Sequence, residues 1–390
     1  MDRRVFLGTV AGAAVAQSPR FDLVIRNGTV CDPASGTRRR ADVGLAGQTI
    51  AAIEDRIAED RGAEVVDAKG LYVTPGRVDL HTHCYDGATT TGLFADPVAA
   101  RSGVTTWVDA GSFGVSQAEG FRKFIVEPAK VRIFGFIYLY PDTRNPDIDP
   151  VKYVRSFMKR TGEAVVSNPD ILLGVKLLVG SNMNGRYSYQ FLQIARELCD
   201  TYRIPLMTHI SFAPPETDQV MELMKPGDIV THCYNRHTLG ILDESGKVRK
   251  SVREARSRGV LFDVGHGLGS FNFEAARKAL DDGFVCDTIS TDIYNLSVNG
   301  PVFDMPTIMS KLMYLGMSFD DVLKRTTAAP AKIVNRFEGL GTLTVGGPAD
   351  IALLAIEDGS FPLTDSQKNT VQAKQRVISK LTICRGKRVT

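Results

Sequence analysis

The stretch Arg77-Val78-Asp79-Leu80-His81-Thr82-His83 decides how the rest of the chain is interpreted. Two apolar residues alternate with Asp79, which is the pattern of a β-strand. Side chains two positions apart on a strand point to the same face, so the imidazoles of His81 and His83 face one side. Two neutral imidazoles that converge at a strand end can share a metal ion. Two surface histidines would give the same pattern, so other parts of the chain must decide between these interpretations.

The middle of the chain, residues 76–335, alternates short apolar runs with helical stretches. The runs are rich in Val, Ile and Leu, as expected for parallel strands that are covered on both faces. Amphipathic segments such as 189–202 and 271–282 lie between them. Eight strands with intervening helices over about 260 residues predict an α/β fold of the (β/α)8 TIM-barrel type. The strand candidates are 77–83, 104–111, 131–140, 171–180, 204–210, 228–234, 260–267 and 288–294.

Both chain ends are rich in short β-like pieces that are punctuated by turn residues. Phe21-Asp22-Leu23-Val24-Ile25 is one such piece near the start, and Lys380-Leu381-Thr382-Ile383 is one near the end. We therefore predict a small β-sandwich that is built from residues 19–75 and 336–390 and is appended to the barrel of residues 76–335.

The first 18 residues differ in character from the rest. Arg3-Arg4 is followed by the small apolar stretch Gly8 to Ala16, which ends in the A-x-A site Ala14-Val15-Ala16. This combination predicts a twin-arginine export signal and a periplasmic location. The apolar run is too short to anchor the chain in a bilayer, which takes ~20 residues. A cytoplasmic protein with a frayed N-terminus is the alternative.

The overall composition is that of an ordinary soluble globular protein. Of 390 residues, 43% are hydrophobic and 23% are charged, and the formal net charge is +3. A charge this small does not favour nucleic acid or an anionic membrane surface as a partner. The six cysteines include no CxxC pair, so neither a zinc knuckle nor a redox motif is indicated. We expect a small-molecule substrate as the partner, and a homo-oligomer is left open.

Polar residues of metal-binding type follow the predicted strands at their C-terminal ends, where the active site of such a barrel lies. Five of the six histidines are at these positions. Strand four carries a single lysine within an otherwise apolar run, and strand eight ends in an aspartate. The residues concerned are His81, His83, Lys176, His209, His232, His266 and Asp292.

Lys176 needs a separate explanation, because an unpaired buried ammonium is costly and burial lowers the pKa of a lysine. A neutral amine can react with carbon dioxide to give a carbamate, which is an anionic ligand able to bridge two cations. The alternative is a lysine whose stem is buried and whose head reaches an aspartate or the barrel mouth. The neighbouring histidines and Asp292 favour the carbamate, because perturbed groups cluster at functional sites.

This set resembles the binuclear-metal subtype of the amidohydrolase superfamily over nearly all of residues 20–390. The resemblance implies two divalent cations, expected to be Zn²⁺, and roles for six residues. His81 and His83 would bind the first metal, carboxylated Lys176 would bridge the two, and His209 and His232 would bind the second. Asp292 would bind the first metal and transfer the proton during catalysis.

A narrower resemblance lies in Gly103–Gly111, Gly259–Gly267 and Thr288–Tyr294. These segments are similar to a bacterial subgroup that is often labelled dihydroorotase but is better described as deacetylase. The subgroup implies removal of an acetyl group from an N-acetyl-D-amino acid or an O-acetyl-2-hydroxy acid. Dihydroorotases usually carry an arginine two residues after the HxH motif, whereas this chain has Tyr85. A cyclic-amide hydrolase such as a dihydroorotase or hydantoinase, and a metal-free barrel that serves as a binding module, are the alternatives.

The expected reaction is attack by a hydroxide that bridges the two cations, with Asp292 as the catalytic acid and base. The substrate carboxylate would need a cation or several hydrogen-bond donors. Candidates on the loops after the strands are Arg186, Asn235, Arg236 and Tyr294. His266 would contact the substrate or, equally, orient a neighbouring group.

Overall fold

The structure is a computed structural model that describes residues 20–139 and 148–390. The predicted export signal of residues 1–18 lies outside the described residues. Within the described part, no helix combines the length and the apolar character needed to cross a membrane.

The strands and helices alternate in the middle of the chain, whereas strands dominate both ends. The strands are β1 Phe21–Arg26, β2 Thr29–Asp32, β3 Thr37–Arg40, β4 Asp42–Ala46, β5 Thr49–Glu54, β6 Gly62–Asp67, β7 Tyr72–Pro75, β8 Arg77–Thr82, β9 Val104–Ala110, β10 Arg132–Tyr138, β11 Leu172–Val179, β12 Leu206–Ile210, β13 Ile229–Thr231, β14 Leu261–Asp263, β15 Ile351–Thr364, β16 Thr370–Cys384 and β17 Lys387–Arg388. The α-helices are α1 Ala95–Ser102, α2 Ala118–Phe121, α3 Pro150–Ser167, α4 Ser181–Asn184, α5 Ser188–Tyr202, α6 Thr217–Leu223, α7 Lys250–Ser257, α8 Phe273–Asp281, α9 Met305–Tyr314, α10 Phe319–Thr326 and α11 Ala328–Val334.

The barrel wall is a parallel sheet of seven strands in the order β14-β13-β12-β11-β10-β9-β8. Every residue of β8 and of β9 is buried, as the apolar runs predicted for strands covered on both faces. Two isolated parallel bridges, Asp263 with Thr288 and Thr82 with Ile293, connect the segment 288–293 to β14 and to β8. This segment therefore closes the sheet, and the predicted TIM-barrel fold is confirmed.

The eighth strand is reduced to these two bridges, whereas the sequence predicted a full strand over 288–294. Backbone hydrogen bonds still join the segment to both sides, from Val264 N to the carbonyl of Thr288 (3.1 Å) and from Asp292 N to that of His81 (2.7 Å). Side-chain hydrogen bonds supplement these backbone bonds. Thr288 and Ser290 donate to the carboxylate of Asp263, and Thr291 donates to that of Asp79. Asp292 then adopts a left-handed backbone with φ +49°, which interrupts the extended conformation.

The smaller body consists of two sheets that both chain ends supply. One sheet has the order β5-β4-β1-β6, and the other has the order β17-β16-β15-β7-β2-β3. Their facing side chains form one apolar core in which Leu23 and Val43, from the start of the chain, pack with Ile351, Leu353 and Ile383, from its end. The predicted β-sandwich from both ends is therefore observed as part of the fold.

Alternate strand residues fill the barrel interior, and a helix closes its amino-terminal end. Leu80, Phe136 and Met207 belong to this inner cluster, together with Ala331 and Val334 of α11. The interior is thus packed, as in other barrels of this type. Polar groups are consequently concentrated at the opposite, carboxyl-terminal end of the strands.

The hairpin β15–β16 extends from the sandwich along the barrel to the loop that follows β14. At its tip, Asp365 accepts hydrogen bonds from the backbone of Phe273 and from the side chain of Asn272 (both 3.2 Å). Ser366 donates to the carbonyl of Gly267 (3.1 Å). The hairpin therefore connects the sandwich to the barrel next to the loop that carries His266.

Candidate active site

Six side chains predicted from the sequence meet at the carboxyl-terminal end of the barrel. Asp292 Oδ1 lies 3.2 Å from His81 Nε2 and 3.1 Å from His83 Nε2. The His232 ring centroid is 5.1 Å from that of His81 and 4.3 Å from that of His209. Ligand atoms of His81, His232 and Asp292 all lie within 4.8 Å of one another. The arrangement brings several donors to one point, as a metal site requires.

Hydrogen bonds on the far nitrogens turn the near nitrogens toward this point. His232 Nδ1 donates to the carbonyl of Gly265 (2.6 Å), and His83 Nδ1 lies 2.8 Å from Ser112 Oγ. His81 Nδ1 lies 2.9 Å from Thr231 Oγ1, whose hydroxyl already donates to Asp263 (2.8 Å). The threonine must therefore accept from His81, which makes Nε2 the nitrogen that carries the lone pair and faces the cluster.

Lys176 enters the same cluster from β11. Its Nζ lies 3.1 Å from His81 Nε2, and the side chain is only 1% exposed. Gly111 makes room for the lysine stem, because a Cβ at this position would lie 2.8 Å from Lys176 Cβ. Burial lowers the pKa of Lys176 to about 8, although Asp292, Asp263 and Asp109 raise it.

The buried histidines of the cluster are neutral at physiological pH. Burial holds the pKa of His81 and of His209 well below the usual value and lowers that of His232 to about 4. Nε2 of His209 is buried and has no hydrogen-bond partner among the described residues. An orphaned buried acceptor is costly unless a ligand binds it. Neutral imidazoles whose lone pairs face one cluster fit a divalent cation, so the residues present pass this test for a metal centre.

Two residues of the cluster have an unusual backbone conformation. His232 has φ +71° and Asp292 has φ +49°, both in the left-handed region that residues other than glycine rarely adopt. Gly267 approaches Asp292 so closely that a Cβ on it would lie 2.2 Å from Asp292 Oδ2. Strained residues that the surrounding fold holds in place are typical of functional sites.

His266 is next to the cluster, but the protein already occupies both of its ring nitrogens. Nδ1 donates to the carbonyl of Gly267 (2.8 Å), and Nε2 accepts from the buried Lys311 Nζ (2.9 Å). The ring is stacked on Phe271 at 4.6 Å. This environment agrees with the orienting role that the sequence left open, and a contact between His266 and the substrate stays a prediction.

The other predicted substrate-binding residues differ in position. Tyr294 has its ring 6.0 Å from that of His83. Asn235 is buried and bonds to the carbonyl of Ile210 and to the backbone of His237. Two exposed arginines contact neighbouring surface groups: Arg236 lies 4.0 Å from Glu274, and Arg186 lies 2.7 Å from the hydroxyl of Tyr187.

Several supporting residues were not singled out from the sequence. Asp263 accepts from three hydroxyl groups, and Asp79 accepts from the backbone and side chain of Thr291 (3.0 and 2.6 Å). Each is an aspartate within an apolar strand, and this feature was a usable signal. Lys311 gives a similar signal, because it is a single lysine in the apolar helix α9, just as Lys176 is a single lysine in the apolar strand β11.

Comparisons with known proteins identify the family of this chain. The model of the amidohydrolase family matches residues 72–389. A curated deacetylase of Enterococcus faecalis is 32% identical over 94% of this chain and 98% of its own length. A solved structure described as an adenine deaminase superposes with a TM-score of 0.85 and 32% identity over 94% of this chain and 99% of its own. A solved structure described as a dihydroorotase superposes with a TM-score of 0.81 and 28% identity, over 94% of this chain and 98% of its own.

The chain therefore belongs to the amidohydrolase family. It is a metal-dependent hydrolase that acts on C–N bonds. The resemblance inferred from the sequence and the prediction of an enzyme are both confirmed.

Proposed function

We propose that this enzyme removes the acetyl group from an N-acetyl-D-amino acid or an O-acetyl-2-hydroxy acid. Relatives named deacetylase that match most of the chain support this choice over deamination or ring opening. Cyclic-amide hydrolysis is the second candidate function, because a dihydroorotase structure is 28% identical to this chain.

The observation that carries the choice is the environment of Tyr85. This position follows the HxH motif where dihydroorotases usually have an arginine for the substrate carboxylate. Tyr85 is buried, its ring packs against Phe113 and Phe121, and its hydroxyl donates to the carbonyl of Gln117 (3.3 Å). The position therefore supplies no cation, which disfavours dihydroorotate as the substrate.

Two divalent cations, expected to be Zn²⁺, would be held by His81, His83, His209, His232, Asp292 and carboxylated Lys176. When bound, such cations lower the pKa of a coordinated water to about 7 and polarise a carbonyl. The free Nε2 of His209 and the convergence of the other donors support this assignment. The lowered pKa of the Lys176 amine supports its carboxylation, because the neutral amine is the form that reacts with carbon dioxide.

Asp292 would transfer the proton in this reaction. Its Oδ1 faces His81 and His83, whereas Oδ2 faces Gly267, which has no side chain that could block it. Asp292 would accept a proton from the attacking water and return it to the leaving nitrogen or oxygen. The exposed guanidinium groups of Arg186 and Arg236 and the hydroxyl of Tyr294 are the candidates for binding the substrate carboxylate.

Substrate profiling tests this proposal directly. The purified enzyme, loaded with zinc or manganese, would be assayed for acetate release from N-acetyl-D-amino acids, N-acetyl-L-amino acids and O-acetyl-2-hydroxy acids. Dihydroorotate and hydantoin would be assayed for ring opening in parallel. We expect acetate release and no ring opening. Efficient turnover of either ring, together with no acetate release, would replace the proposal by the cyclic-amide alternative.

A further inference from the structure

A second cavity, of about 960 Å³, lies at the end of the barrel opposite to the metal-centre candidates. The segments that precede β12, β13 and β14 form its floor, and the ends of α5 and α10 together with α11 form its walls. Pro33 and Ala34, in the β2–β3 turn of the sandwich, reach its rim. This amino-terminal cleft is therefore separate from the site described above.

The charges that line the amino-terminal cleft are unbalanced. Six basic side chains line it, namely Arg196, Arg203, Lys225, Lys324, Arg325 and Lys332, against the three carboxylates Asp200, Asp228 and Asp287. The whole chain has a net charge of only +3, so the surplus in this one cleft is a local feature.

The three carboxylates already have partners. Asp200 pairs with Arg196 Nε (2.9 Å) and Lys225 Nζ (2.7 Å). Asp228 also pairs with Arg196 and accepts from two backbone N–H groups. Asp287 pairs with Arg256 (2.8 Å), whose guanidinium lies outside the cleft lining. All three carboxylates are thus engaged by cations other than the four considered next.

Four cations are left without an acidic partner. Across residues 20–139 and 148–390, no carboxylate lies within 4.0 Å of the charged groups of Arg203, Lys324, Arg325 or Lys332. Arg325 Nε is buried and has no hydrogen-bond acceptor in this part of the chain. Like charges in a concave site with low-dielectric walls concentrate field lines and attract anions. A buried donor without an acceptor is a further cost that a bound anion would remove.

The walls between these cations are largely apolar. Ile204, Leu261, Ala328, Ala329 and Ile333 contribute to them. The volume is within the range of small-molecule sites, which are typically apolar with a few placed polar groups. We propose that the amino-terminal cleft binds a small organic anion that carries at least two negative charges on an apolar body.

Calorimetric titration of the zinc-loaded enzyme with 1,5-naphthalenedisulfonate tests this proposal, because this dianion has an apolar core and no strong metal-chelating group. We expect saturable binding of one molecule per chain that weakens as salt is raised. Lys332→Gln and Arg325→Gln should each weaken binding by about tenfold or more. Lys332 is exposed, so its variant remains informative should Arg325→Gln fail to fold.

Lys250→Gln is the matched control, because Lys250 is an exposed lysine outside the cleft that pairs with Glu254. It should bind the dianion as the unaltered enzyme does. Absence of saturable binding, unchanged binding in both cleft variants, or equal weakening in the Lys250 control would each overturn the proposal. The outcome is independent of which substrate the metal site hydrolyses, since no readout uses turnover.

Discussion

At the scale of single residues, hydrogen bonds to Nδ1 orient three of the candidate histidine ligands. Thr231 and Asp263 orient His81, the carbonyl of Gly265 orients His232, and Ser112 orients His83. Such partners select one tautomer and one ring orientation before a cation arrives. The site is therefore preorganised by hydrogen bonds that no local sequence pattern displays.

Lys176→Ala is expected to remove most of the bound metal and the activity together. The substitution deletes the amine that lies 3.1 Å from His81 Nε2 and would become the bridging carbamate. Metal content by elemental analysis and turnover would be measured with and without short carboxylic acids, which should restore part of both. Lys250→Ala, at an exposed position, is the control and should behave as the unaltered enzyme. Full metal content and turnover in Lys176→Ala would reject the bridging role.

Asp292→Asn is expected to lower kcat by about 10²–10⁴, the usual contribution of an acid–base group. The amide keeps the shape of the side chain but cannot accept and return the proton. The thermal unfolding midpoint should change little, which separates this effect from misfolding. Asp281→Asn, at an exposed position on α8, serves as the control. Near-normal kcat in Asp292→Asn would remove the residue from proton transfer.

At the scale of elements, the hairpin β15–β16 connects the sandwich to the loop beside the active site. Its tip is ordered by Asp365, which is buried and accepts from Gln367 N (2.8 Å) and Asn369 N (2.9 Å) as well as from Asn272 and Phe273. A carboxylate that satisfies several donors stabilises the loops on both sides of the contact. The C-terminal strands thus contribute to the barrel as well as to the sandwich.

Asp365→Ala is expected to lower the free energy of unfolding by about 3 kcal/mol, because it leaves several buried donors without an acceptor. Urea unfolding followed by circular dichroism would measure the change. Asp358→Ala, in the same hairpin, is the control, because the Asp358 carboxylate is exposed and accepts a hydrogen bond from Gln375 (2.8 Å). This variant should lower the free energy of unfolding by less than about 0.5 kcal/mol. Equal costs for the two variants would contradict the role given to the tip.

At the scale of the whole molecule, burial shifts the pKa of several interior ionisable groups toward the neutral form. Lys311 is an example outside the metal cluster: burial lowers its pKa to about 7, although Asp365 and Asp304 raise it. The unfolded chain has a lysine pKa of about 10.4 and therefore binds more protons between these values. The contribution of Lys311 to stability consequently rises as the pH rises from about 7 to about 10.

The difference in unfolding free energy between the unaltered protein and Lys311→Met isolates this effect. We expect the difference to shift in favour of the unaltered protein by about 3 kcal/mol between pH 7 and pH 9.5, in urea unfolding at a series of pH values. Lys250→Met, which replaces an exposed lysine, should give a difference that does not depend on pH. A flat profile for Lys311→Met would mean that Lys311 is charged in the folded protein.

The local pattern of the chain was sufficient for the barrel, the sandwich and the class of enzyme. Apolar runs and their period mark strands such as β8 and β11, and a polar residue that follows a buried strand lies at one edge of the sheet. The sequence alone therefore groups His81, His209 and Asp292. The positions of strands and of the polar residues that follow them are encoded in the periodic order of neighbouring residues.

Only the tertiary structure decided which groups hold these residues in place. The hydrogen bond between Lys311 and His266, the loss of a regular eighth strand and the cations of the amino-terminal cleft depend on pairs of groups that are distant in sequence. The physical reason is that hydrogen bonds and charges act over a few ångströms in space, whatever the separation along the chain. Such pairs become visible only when the closed barrel brings the strands and helices together.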